Sequence, residues 1–351
     1  MNFMKSIFFI LSLLPSIVLA QDPVGAKYRV LEGVELHDEG KYADALKKYD
    51  LALALDANNM DAFTEKALTL EMMGYSKEAI ELCKKTIKLY SKDVHPTLYV
   101  TYGNALDHSG HPEKAVKIYK EGIGLFPNNY QLYFNQGITL VGLQQLDKAT
   151  QSIQKATMLN PNHPGSFNAL SFLYQNNRIA AILASCRYLS LDNSSQRAKV
   201  NYDFLLENLY QGVTKTNSDN ISIVINENQL NNAVDKKLDD NFVMTEMILS
   251  MTAAMSLSDD TTYKTQPQKV AAMLTSVFVG LQERSQYSQG YFNSFLVPYF
   301  LDMKAKNLIE PFSNIILIVV EDPDAINFYK ENREKLTAFY EWSKAYKWKT
   351  N

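Results

Sequence analysis

The chain has 351 residues, and what it is short of removes several classes of function. With only two cysteines, Cys83 and Cys186, it cannot build a disulfide framework or a thiolate metal knuckle. All five histidines (37, 95, 108, 111 and 163) precede residue 164. The chain beyond residue 214 therefore has neither imidazole nor thiol, and thiol nucleophiles, imidazole bases and ordinary zinc sites are excluded there. Charge of one sign is also lacking: 35 basic side chains face 38 acidic ones, with no Lys/Arg block dense enough to read phosphates. Nucleic acid is not an expected partner. No GxSxG, HExxH, GxGxxG or P-loop pattern occurs, and no catalytic residue, metal ligand or cofactor is expected.

The one long apolar run is at the start. Lys5 is followed by "SIFFILSLLPSIVLA", fifteen mostly apolar residues ending in small ones before Gln21. Residues 1–20 read as a signal peptide, since the run is short for a bilayer span. The expectation is an exported protein, periplasmic or secreted, with the bacterial envelope preferred and no integral membrane segment after cleavage.

Against these absences stands a repeat. At a 34-residue period, Gly33, Gly40, Ala45, Tyr49 and Ala52 of residues 26–59 align with Ala67, Gly74, Ala79, Cys83 and Thr86 of 60–93. They align again with Gly103, Gly110, Ala115, Tyr119 and Gly122 of 96–129. Residues 130–163 continue with Gly137, Ala149, Ile153 and Ala156, and 164–197 form a degenerate fifth unit. Each unit splits into two stretches of helical apolar spacing, and the glycine between them suits a left-handed helix end. No such unit buries its apolar face alone, so the expectation is a stacked, all-α helix-turn-helix solenoid. Its stacking steps separate Cys83 from Cys186 too far for a disulfide.

Phe63, Tyr99, Tyr133 and Phe167 at position 4, the small residues at 8 and 20, and Pro127 and Pro161 at 32 resemble the tetratricopeptide repeat family. Glu32 and Lys66 at position 7, and Ala57 and Ser91 at 32, depart from its pattern. The resemblance implies a protein or peptide partner docked on the first helices. It places Asn104, His108, Gln131, Phe134, Asn135, Asn168 and Gln175 in the groove, behind an acidic entrance of Asp61, Glu65, Glu71 and Asp107. The cationic clamp of carboxylate-binding members is missing. Primary amides donate and accept, so an amide row could pair with an extended backbone whatever its side chains. His108 and His111 flank Gly110 beside Glu113, a metal-like spacing that the register assigns to the turn between two helices.

Residues 198–213 are expected to be a capping helix, 214–220 a linker and 221–351 a mainly helical C-terminal domain. "KVAAMLTSVFVGLQER" (269–284) places Val270, Met273, Leu274, Val277, Phe278 and Leu281 on one helical face. Asp322-Pro323 begins a helix expected to run to about Tyr346. The β-branched runs 221–225 and 315–320 are open between helix turns and a small strand pairing. Met244, Met247, Met251 and Met255 share a helical face, read as core packing, with a copper site or an adaptable binding surface as alternatives. The functional expectation is an interaction scaffold that assists envelope or secreted complex assembly. The alternative is an enzyme with a carboxylate-based site in 214–351.

Overall fold

The computed structural model describes residues 21–91, 93–216, 220–224, 242–284 and 290–349. The expected signal segment lies outside the described residues. The chain divides into two compact units, Met1–Gly110 and His111–Asn351.

The first unit contains α1 (Pro23–Asp38), α2 (Tyr42–Leu55), α3 (Met60–Met72), α4 (Ser76–Tyr90) and α5 (Pro96–His108). Local chemistry sets their ends. The Asp22 carboxylate accepts from the Gly25 N–H and the Asn59 amide oxygen from the Ala62 N–H, both at 2.9 Å, and Pro96 occupies the first turn of α5. Gly40, Gly74 and Gly110 sit just past α1, α3 and α5 with φ of +75° to +80°, in open space where an added Cβ would meet nothing. Their role is conformational. Close helix approach uses small residues instead: Ala45, Ala52, Ala62, Ala67, Ala79 and Cys83 are fully buried.

The second unit continues the hairpins with α6 (Pro112–Leu125), α7 (Tyr130–Gly142), α8 (Leu146–Leu159), α9 (Pro164–Leu173), α10 (Arg178–Leu191) and α11 (Gln196–Tyr210). At the turn after α7, where the earlier repeats place glycine, Gln144 takes φ +58°. A side chain in that region carries a penalty that glycine lacks. Gln144→Gly should therefore raise the unfolding free energy by about 0.5–1 kcal/mol, read as a higher urea midpoint at unchanged slope.

After α11 come β1 (Val213–Lys215) and β2 (Ile221–Ile223), paired antiparallel with Thr214 opposite Ser222. The expected linker is thus partly a strand: residues 214–215 pair with the start of the 221–225 run, while 217–219 and 225 lie outside the described residues. The chain then forms α12 (Val243–Leu257), α13 (Gln266–Arg284), a π-turn (Phe292–Leu296), α14 (Val297–Ala305) and α15 (Ile309–Leu317). A 3-10 turn (Ile318–Val320), α16 (Pro323–Glu331) and α17 (Arg333–Ala345) complete it. The 315–320 run is helical, ending in that turn.

Two expectations are corrected here. The helix begun at Asp322 does not run unbroken to Tyr346, because Asn332 leaves helical geometry (φ −122°, ψ 44°). Its side-chain amide donates to the Phe328 carbonyl at 3.2 Å, the acceptor that its own backbone N–H also uses, and such local competition interrupts helices. The methionine stripe is not core. On α12 the buried positions are Val243, Thr245, Leu249, Ser250, Ala253 and Ser256, whereas Met244, Met251 and Met255 are 53%, 62% and 61% exposed.

Within the second unit, the last repeats and the C-terminal helices share one core. It runs from Ile153 and Phe167 through Ile182, Leu183 and Cys186 to Phe278, Tyr299, Phe312 and Phe339. Every residue of α10 from Arg178 to Ser190 is buried. The sequence RIAAILASCRYLSL has no polar face, so α10 is stable only when wrapped on all sides, and the C-terminal helices supply the missing wall. The face expected on 269–284 is the one buried: Val270, Met273, Leu274, Val277, Phe278 and Leu281 are all inaccessible.

Candidate binding face

In the first unit α1, α3 and α5 are tied together by histidines. His37 Nδ1 lies 2.7 Å from Thr69 Oγ1, His95 Nε2 3.0 Å from Asp61 Oδ1, and His108 Nδ1 2.7 Å from Glu71 Oε1. Each pair links the first helix of one repeat to that of the next, or to the turn leading into it. Glu71 is buried, and an exposed imidazole is its partner. His108, expected at the groove rim, is exposed, and its ring holds the Glu71 carboxylate in place.

Glu65 differs from its neighbours. It is partly buried on α3, it accepts no hydrogen bond among the described residues, and burial together with the nearby Asp61 carboxylate raises its pKa. His95 offsets this in part, and Asp38 adds to it. Asn104 is partly buried on α5. The described face therefore presents carboxylates without a described lysine or arginine hydrogen-bonded to Glu65.

The expected amide row looks different once its side chains are placed. Asn135 Nδ2 donates to the Gln131 carbonyl of its own helix at 2.9 Å. Asn168 Oδ1 accepts from Asn201 Nδ2 at 2.6 Å. Both amides are engaged by their own chain, one by a local backbone carbonyl and one by α11. Gln131 and Gln175 are exposed, and Phe134 packs edge-on against His163 at 4.7 Å between centroids. Burial lowers the His163 pKa.

Two residues that sequence reasoning passed over are the buried arginines of α10. Arg178 donates Nε to the Asn208 carbonyl at 2.7 Å, Nη2 to the Leu209 carbonyl at 2.8 Å and Nη1 to Ser250 Oγ at 2.8 Å. It thereby closes the C-terminus of α11 and reaches α12. Burial lowers its pKa to about 10, with Glu246 acting the other way. Arg187 holds the other end of α10, as argued below. Their signal was faint: an arginine in an otherwise apolar helix reads as a surface residue until the helix is known to have no surface.

Four described carboxylates of 214–351 have structural partners. Asp302 accepts from Trp342 Nε1 at 2.6 Å, Asp322 caps α16 through the Asp324 and Ala325 N–H groups at 3.0 Å, and Lys335 pairs with Glu310 at 2.7 Å. Lys215 bonds Asp259, half of the Asp259-Asp260 pair, in an exposed loop. No described Asp or Glu of this stretch is buried. No group of three His, Cys, Asp or Glu side chains that could hold a metal occurs among the described residues. No described helix is long and apolar enough to cross a membrane.

Comparison with known proteins points one way. A family model described as "Tetratricopeptide repeat" matches residues 96–129 and 130–163. The chain is similar to human tetratricopeptide repeat protein 6, 25% identical over 142 residues, which is 40% of this chain and 27% of that protein. It is similar to tetratricopeptide repeat protein 8 of Caenorhabditis elegans, 27% identical over 112 residues, 32% of this chain and 22% of that one. The chain thus spans about a quarter of the length of these relatives. A solved tetratricopeptide repeat protein from Thermus thermophilus aligns at 21% identity and a TM-score of 0.45, covering 52% of this chain and 99% of that one. Residues 96–163 thus match two tetratricopeptide repeats, within an all-α fold of helical hairpins.

Proposed function

We propose that this protein is an exported interaction scaffold that docks a lysine- or arginine-bearing protein segment on the first-helix face of residues 38–107, assisting assembly of an envelope or secreted complex. The repeats support a protein-binding role in general. The basic character of the segment rests on one observation: Glu65 is a partly buried carboxylate with a raised pKa beside Asp61, and no described residue gives it a hydrogen bond. A charge held away from water without a partner is unfavourable, and an incoming guanidinium or ammonium relieves it. Export rests on residues 1–20, whose composition is that of a signal peptide.

The test is binding of arginine-rich and glutamate-rich peptides of equal length, followed by fluorescence anisotropy. The arginine-rich peptide binds, and Glu65→Gln weakens it about tenfold, the scale of a charge-assisted hydrogen bond. A carboxylate with a raised pKa must lose its proton to make this contact. Affinity therefore falls as pH drops through the Glu65 titration, and Glu65→Gln flattens the dependence. Equal binding of both peptides would reject the reading. Export is checked by fractionation, with residues 1–20 absent from the exported chain.

A further inference from the structure

The methionine stripe of α12 is the feature that neither the fold nor the proposed function absorbs. Four of the chain's 12 methionines lie within residues 244–255. Met244, Met251 and Met255 are more than half exposed and Met247 is partly buried, while Val243, Leu249 and Ala253 of the same helix are buried. Every exposed large apolar side chain of this helix is a methionine. Leaving such side chains in water forfeits the burial free energy that the opposite face gains. A face chosen only for apolar area could use leucine or isoleucine. What methionine has and they lack is a thioether lone pair, a soft donor.

We propose that Met244, Met247 and Met251 form a binding site for a soft monovalent d10 cation, Cu(I) or Ag(I), with Met255 as a further donor one turn on. At a rise of about 1.5 Å per residue, Met247 sits roughly 4.5 Å along the axis from Met244 and 6 Å from Met251. Residues three and four apart are neighbours on a helix surface, and three flexible thioethers on adjacent turns converge on one ion between them. Thioether donors select Cu(I) over the harder divalent metals. The two thiols of the chain compete poorly for such an ion. Cys83 and Cys186 are both buried, and burial pushes the Cys83 thiol up to about 12 and Cys186 higher still.

The test labels the methionine methyl groups with 13C and titrates the full chain with Ag(I), a redox-inert probe, then repeats the measurement with Cu(I) against a Cu(I)-selective chelator without oxygen. The methyl signals of Met244, Met247 and Met251 shift together and saturate at one ion per chain. The exposed Met72 of α3 stays in place as an internal control. Met247→Leu weakens binding at least tenfold, and Met244→Leu/Met247→Leu/Met251→Leu removes the saturable site with helix content unchanged. Leucine keeps the apolar volume and discards the sulfur, so a face built for a protein partner would survive the triple change, whereas a metal site would not. Ag(I) binding that ignores the triple leucine variant, or that shifts Met72 equally, overturns the proposal.

Discussion

Arg187→Met lowers the unfolding free energy by about 3–5 kcal/mol, seen as a fall in the urea midpoint. The Arg187 side chain is fully buried, with its guanidinium over the rings of Phe167 and Tyr299. Burial holds its pKa below the usual guanidinium range, with Tyr299 opposing that shift. No carboxylate hydrogen-bonds to it among the described residues. The charge is instead spread over neutral acceptors: Nη2 donates to the Pro161 carbonyl at 2.8 Å and to Asn162 Oδ1 at 2.9 Å. Nη1 reaches Ser190 Oγ at 3.1 Å, Tyr299 OH at 3.1 Å and Ser343 Oγ at 3.2 Å. The guanidinium also lies 4.9 Å from the ring centroids of Tyr299 and Trp348.

Methionine can fill much of the volume but satisfies none of these acceptors, and a buried acceptor left without a donor carries its full desolvation penalty. Arg187→Lys should recover only part of the loss, because one ammonium cannot reproduce the planar fork that spans Pro161 on one side and Ser343 on the other. These contacts join the α8–α9 turn to α17 and to the segment after it. The same variant should therefore expose the C-terminal helices to proteolysis before the first unit is cut. A fully stable Arg187→Met would show that the aromatic core packs as well without the cation.

Gly33→Val should destabilise the first unit by about 3 kcal/mol, at the upper end for overpacking a core. Gly33 lies in the middle of α1, where glycine is a poor helix former, so a packing reason must outweigh propensity. That reason is Tyr49 of α2: a Cβ on Gly33 would stand 2.4 Å from Tyr49 Cε1 and 2.8 Å from Cδ1. The ring is itself fully buried and cannot swing outward. Relief should come from the ring side. Tyr49→Leu combined with Gly33→Val should lose less than the two single losses summed, a coupling on the order of 1 kcal/mol. By contrast, Gly40→Ala meets no atom and should cost only about 1 kcal/mol through its positive φ. The two glycines occupy nearby places in one repeat for unrelated physical reasons.

Much of this was legible in advance because repeats write their packing into a fixed register. Gly40, Gly74 and Gly110 announced helix ends, and the small and aromatic residues at 8, 20 and 24 announced which faces meet. The same register put Asp61, Glu65, Glu71 and His108 on first helices, where the structure has them. What could not be read was the partner of each polar group there. A side chain's position on a helix is local, but its hydrogen bond depends on which neighbour arrives beside it. Asn135 turned back to its own helix and Asn168 found Asn201.

The methionine stripe and the two arginines of α10 make the same point in opposite directions. Helical spacing put Met244, Met247, Met251 and Met255 on one face, and hydrophobicity assigned that face to the core. It offered no reading of Arg178 and Arg187. The methionine face is open and both arginines are buried, because an amphipathic pattern ranks the faces of one helix against each other and says nothing about how many of them the rest of the chain will cover. By itself the sequence determined the all-α class, the repeat register, the glycine-marked helix ends and the core of 269–284, all properties of neighbours within about one turn or one repeat. Only the tertiary structure decided that α10 is enclosed on every side while one face of α12 is left open, since enclosure depends on contacts between residues more than a hundred positions apart, such as Arg187 with Tyr299 and Ser343.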